Sequence, residues 1–90
     1  MPVTTTPSVT SDTQILAPSG ARKGFTIVNT DANRLYVLFG SSASSATKYT
    51  LYLDTGDVYE CATERCYTGE IRGIWASDGS GSAIVTTWGA

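Results

Sequence analysis

The sequence predicts an all-β fold: an antiparallel β-sandwich or jelly-roll-like barrel of about seven strands, preceded by an extended N-terminal arm. Three observations predict it. Short runs rich in β-branched and aromatic residues recur at roughly the 8 to 12 residue spacing of all-β domains. Gly, Asn, Asp and Ser separate those runs and tolerate the backbone of turns. No segment holds apolar residues at helical spacing for three turns, so helix is expected to be almost absent.

Residues 1–13, MPVTTTPSVTSDT, contain Thr, Ser, Pro and Val with one acid and no period. They cannot build a core and read as an arm, with a frayed terminus as the plain alternative. Thirteen extended residues reach about 43 to 47 Å, enough to cross a neighbouring subunit, which makes Val3 and Thr5 candidate interface residues. The sandwich domain then spans 14–90, with strands expected near 14–17, 24–29, 35–40, 48–53, 58–61, 70–76 and 82–88. PSGARK, NTDAN, GSSASSAT, DTGD, the cysteine segment and SDGSGS connect them.

The period of two assigns faces. In 48–54, Tyr49, Leu51 and Leu53 share one side, with Thr50 and Tyr52 on the other. In 35–39, Leu35, Val37 and Phe39 oppose Tyr36 and Leu38. Both strands are therefore apolar on two sides. Tyr36, Leu38 and Tyr52 exceed what one small sandwich buries, and such surplus marks an interface unless it packs beneath the Ser-rich loop.

Composition narrows the function. Ninety residues make one domain, burying about 60 to 65% of the unfolded surface. With 41% hydrophobic and 16% charged residues the chain should fold. Six scattered basic residues and a net charge of −2 give no stripe for a phosphate backbone, so nucleic acid is not an expected partner. No apolar run approaches the roughly 20 residues that span a bilayer, and MPVTTTPSVTSDTQ has neither a basic n-region nor an apolar h-region. Neither a membrane partner nor a secretory signal is expected. Histidine is absent, so no Ser or Cys has the usual base to activate it, and no Gly-rich loop opens a helix to cradle phosphate.

Four features carry chemistry. Asp54-Thr55-Gly56 reproduces the Asp-Thr-Gly signature of aspartic proteases, whose retroviral members are β-rich dimers that share one proton between two carboxylates. The resemblance stops there: Asp57 replaces the usual small residue, and no Gly-rich flap or Gly-Arg-Asp helix follows. A tight turn with Gly56 at positive φ is the better reading. Asp54, Asp57, Glu60 and Glu64 form an acidic cluster without calcium-loop spacing, which reads as a solvated rim. Trp75, Trp88, Tyr36, Tyr52, Tyr59 and Tyr67 raise stacking on sugar rings as an alternative, but lie in alternating strands where core and subunit contacts are simpler. Cys61 and Cys66 give two soft ligands where structural zinc needs four, and lack Cys-x-x-Cys redox spacing. A disulfide clipping a turn at 62–65, a bond between subunits, and reduced thiols remain open. The clip needs the chain to turn back, since five extended steps would part the Cα atoms by about 17 Å.

The run 22–88 resembles small structural proteins of tailed bacteriophages, on RKGFTIVNTDANRLYVLFG, YTLYLDTGDVYE and YTGEIRGIWASDGSGSAIVTTW, about three quarters of the chain. That resemblance implies a β-sandwich in the virion, assembled in the host cytoplasm. The usual role is a head decoration or cement protein, sometimes a base for fibres. It also implies the major capsid protein or another virion protein as partner, and a homo-oligomer, often a trimer at capsid threefold positions. Neither enzymatic activity nor a cofactor is expected. The cysteine-bracketed insertion before Tyr67-Thr68-Gly69 departs from the pattern.

Overall fold

The computed structural model describes residues 3–41, 44–45, 47–61 and 66–89. It is all-β, with eight strands: β1 (Val3–Pro7), β2 (Thr13–Leu16), β3 (Gly24–Asn29), β4 (Leu35–Phe39), β5 (Leu51–Leu53), β6 (Val58–Cys61), β7 (Ile71–Trp75) and β8 (Ser82–Trp88). No helix occurs among the described residues. The strands form two antiparallel four-stranded sheets, in orders β1-β8-β3-β6 and β2-β7-β4-β5. Four partnerships, β1·β8, β2·β7, β3·β6 and β4·β5, nest inside one another. The chain is thus a long antiparallel hairpin folded over itself, with successive pairs alternating between sheets and the β4–β5 pair innermost.

Alternation puts one apolar row of each sheet into a shared core. Phe25, Ile27, Ala83 and Val85 come from the first sheet; Ile15, Leu35, Val37, Leu53, Ile71 and Trp75 come from the second. β3 and β8 occupy the two central positions of the first sheet, and their TIV and AIV runs alternate buried with half-buried residues. Packing of this kind contributes about 25 cal/mol for each Å² of apolar surface removed from water.

The eighth strand corrects the expected seven. Residues 3–7 are β1, an edge strand in register with β8 from Val3↔Thr86 to Pro7↔Ser82. Its residues lie largely exposed on both sides, so burial imposes no alternation. A β-branched VTTT run therefore reads as patternless. The expected boundary between arm and domain falls inside β2, and Val9 already packs on the core. β5 starts at Leu51 rather than residue 48, because the Thr50 hydroxyl accepts the Phe39 N–H at 2.9 Å and Ser45 and Lys48 form a separate small bridge.

Polar side chains sew the ends of the sandwich. At one end Asn29, fully buried, donates to the carbonyls of Leu53 (2.8 Å) and Asn33 (2.9 Å). Its Oδ1 accepts from the Trp75 indole N–H and the Asp31 N–H, both at 3.1 Å. Asp31 beside it accepts from the backbone of Asn33 and Gly81, each at 2.9 Å. Those bonds, Asn33 first, hold its carboxyl below the usual range. A Cβ at Gly81 would lie on the Asp31 backbone, which explains a glycine there. At the other end Arg22, only 3% exposed, donates Nη1 to the Tyr67 carbonyl (2.9 Å) and Nη2 to that of Ala17 (2.5 Å) and lies over the Phe25 ring. Desolvation lowers its pKa. The six basic residues are thus not all surface charges.

Candidate interaction surfaces

The outer face of the second sheet is aromatic. Tyr36 stands opposite Tyr52 on β5 and Ile74 on β7, and Leu38 opposite Arg72. Tyr52 is 46% exposed and Tyr49 40%. The Tyr49 ring lies 5.0 Å from that of Tyr36 and 6.3 Å from that of Tyr52. This corrects the face expected for Tyr49, which was the side of Leu51 and Leu53. The alternation starts only where β5 does, so the bend before it turns Tyr49 outward. Arg34 caps the cluster. Its guanidinium lies 4.1 Å from the Tyr52 ring centre, and its Nε donates to Asp54 at 2.8 Å. Both partners of that ion pair are well exposed, a setting in which such pairs contribute about 0.2–1 kcal/mol.

A second polar group borders the same sheet. Arg72 bridges Asp12 (2.5 Å) and Glu70 (2.7 Å), and Asp12 also accepts the N–H and hydroxyl of Ser44. The hydrogen bond from Arg72 leads the causes that lower the Asp12 pKa from 3.8 to about 2. The hydrogen bond from Gln14 likewise holds the Glu70 carboxyl below its usual range. Ser44 thereby ties the Ser-rich loop to the β1–β2 connection.

The outer face of the first sheet is β-branched. Val3 and Thr5 lie on it, in rows with Thr86 and Ile84 of β8, Thr26 and Val28 of β3, and Val58 of β6. Val3 is 60% and Val58 58% exposed. Trp88 stands opposite Gly24, where an added Cβ would strike the indole.

Asp54-Thr55-Gly56-Asp57 is the turn from β5 to β6. Gly56 has φ 82°, Asp57 N–H donates to the Asp54 carbonyl at 2.9 Å, and the Asp57 carboxylate accepts the Asp54 N–H at 2.9 Å. Asp54 is therefore committed to Arg34 and the turn. Of the expected acidic cluster, Asp54, Asp57 and Glu60 are exposed, while Glu64 lies outside the described residues. Cys61, at the end of β6, and Cys66 are bonded to each other, with Cα atoms 5.4 Å apart; the turn expected at 62–65 lies outside the described residues. Past the bond, Tyr67 stacks on Phe39 at 5.0 Å. Of the other aromatics, Trp75 is core and Tyr59 packs on Phe25 and Phe39.

The structure brings Tyr36 and Tyr52 together, keeps Leu38 on their face, and places Val3 and Thr5 on the opposite sheet. Asn29, Asp31 and Arg22 escaped the sequence reading because each also bonds to a partner far along the chain, Leu53 and Trp75 for Asn29, Gly81 for Asp31 and Tyr67 for Arg22. Comparison with protein-family models, curated proteins and solved structures finds no match.

Proposed function

We propose that the chain is a bacteriophage virion structural protein, a capsid decoration or cement protein that binds the head surface and stabilises it through subunit contacts. The observation that carries the reading is the aromatic outer face of the second sheet. Tyr36, Leu38, Tyr49 and Tyr52 give one side of a small β domain more apolar surface than its own core uses, and exposed patches of this kind mark contacts. The strand orders support a jelly roll. Eight strands in two four-stranded sheets, paired as a rolled hairpin, match the double-sheet jelly rolls found in viral capsid and lectin domains. A fold alone assigns no function, so the weight rests on the surface.

Attachment works by burial. Tyrosines supply large rigid contact area while keeping the hydroxyl at a wet rim, and Arg34 with Asp54 provides a polar border. The partner is the major capsid protein or another virion protein, and neighbouring copies of this chain complete a homo-oligomer, a trimer at threefold positions in the arrangement the resemblance implies. Tyr52→Glu places a charge in that contact, at a cost of several kcal/mol where it finds no partner. Quantitative electrophoresis of gradient-purified particles should show that variant depleted. Wild-type occupancy would remove the tyrosine face from the attachment surface.

Carbohydrate binding is the second reading, favoured by one observation: exposed Tyr49 and Tyr52 rings stand beside an arginine and a carboxylate, groups able to stack on and hydrogen-bond a sugar. A glycan array separates the two. A cement protein is silent on it, whereas selective binding abolished by Tyr52→Ala supports the host-adhesion module.

A further inference from the structure

The four open strand edges differ in chemistry, and one is complementary to itself. β1 and β6 border the first sheet, β2 and β5 the second. β5 has only three residues, β2 carries a register shift between Gln14 and Leu16, and β6 presents exposed Glu60 near exposed Asp57. Shortness, irregularity and charge all blunt edge pairing. β1, VTTTP, has five residues, an unbroken register and no charge.

Three observations fix which of its backbone groups face outward. Ser8 N–H donates to the Gly81 carbonyl at 3.2 Å, continuing the β1·β8 register, so Thr6 with Ala83 and Thr4 with Val85 are the hydrogen-bonded pairs. Thr30 N–H takes the Ser82 carbonyl at 2.9 Å, so Ser82 is turned toward β3. Pro7, which has no N–H, stands opposite Ser82, where no donor toward β8 is needed. Backbone direction alternates along an antiparallel strand. The N–H groups of Val3 and Thr5 and the carbonyls of Val3, Thr5 and Pro7 therefore point away from the sheet. Among the described residues no partner meets these N–H groups.

We infer that β1 pairs antiparallel with β1 of a second copy of this chain about a two-fold axis, joining two four-stranded sheets into one. Pairing centred on Thr4 or on Thr5 brings both outward N–H groups of each copy to a carbonyl of the other. A two-fold contact sets identical patches against each other, and an uncharged strand meets itself without the repulsion that Glu60 would impose on β6. Val3 and Thr5 of the two copies then adjoin on the outer face. This contact does not depend on the virion reading and uses a different surface from the tyrosine face.

Sedimentation velocity of the full chain over a wide concentration range tests it, in the Tyr52→Glu background so that the tyrosine face does not contribute. Thr5→Pro removes an outward N–H and sets a ring on the open edge, while the β1·β8 ladder keeps its bonds. The expected result is a concentration-dependent dimer in Tyr52→Glu and a Kd raised about tenfold or more by Thr5→Pro, the loss of two interchain bonds, with circular dichroism unchanged. A Tyr52→Glu chain that stays monomeric, or equal association with and without Thr5→Pro, overturns the inference. If Thr5→Pro perturbs the fold, Thr5→Lys keeps the backbone and sets like charges across the axis; association equal to that of its parent overturns it as well.

Discussion

Asn29→Ala should be the most damaging single truncation of a polar side chain in this protein. Asn29 is fully buried and makes four hydrogen bonds. Three of its partners, the Trp75 indole N–H, the Leu53 carbonyl and the Asp31 N–H, lie in buried bonds and have no water to turn to. Leaving a buried donor or acceptor unpaired costs about 1–3 kcal/mol, so these three cost about 3–9 kcal/mol. Domains of this size lose about 4–8 °C of Tm for each kcal/mol. A fall of at least about 10 °C is therefore expected by calorimetry, a large share of a total stability near 5–15 kcal/mol. Asn29→Asp sharpens the test. It keeps an oxygen toward Trp75 but turns an acceptor toward the Leu53 and Asn33 carbonyls, so it should not rescue. A fall of only two or three degrees in Asn29→Ala, or a stable Asn29→Asp, would refute the view that this side chain joins the sheets.

Acid should loosen the protein through its paired carboxylates. The Asp12 pKa is lowered from 3.8 to about 2, and Asp31 and Glu70 are lowered too. A depressed folded-state pKa gives stability that is present above the unfolded value and lost as pH falls through the folded one. Tm should thus drop between pH 3.8 and about 2, less steeply in Asp12→Asn; equal slopes would exclude Asp12 as a source. Reducing the Cys61–Cys66 bond opens a short loop, worth about 2 kcal/mol in the chain-entropy model. Intact-mass analysis of the non-reduced protein should show a monomer lighter by two hydrogens than its reduced form; covalent dimers or free alkylation would count against the clip. Asp54→Asn should shift stability by less than about 1 kcal/mol, since it weakens only an exposed ion pair. Peptide cleavage by the wild type that this substitution abolishes would revive the protease reading.

What could be read from the sequence depended on where each residue's partners lie. β3, β6 and β8 fall at their expected bounds because Val, Ile and Tyr run between turn residues and one face must be buried. β1 could not be read that way, since a strand exposed on both sides leaves no period. Tyr49 was placed on the wrong face by extending an alternation across a bend. Asn29 ends an apolar run and looks like the start of a turn. Its role depends on Leu53 and Trp75, 24 and 46 residues away, and no local pattern records that. Arg22 is one of six scattered basic residues in the sequence and nothing local singles it out, as its acceptors include carbonyls 45 and 47 positions on. By contrast, Tyr36, Leu38 and Tyr52 were legible as a surplus, because alternation shows what one core cannot hold.

The most direct test of the virion assignment is a cryo-EM reconstruction of particles from a phage that encodes this chain. The expected map shows an eight-stranded, two-sheet density on the head, its second sheet turned so that Tyr36 and Tyr52 face a capsid subunit or a neighbouring copy. Particles that assemble and survive without any such density, with the chain left wholly in the soluble fraction of the lysate, would contradict it.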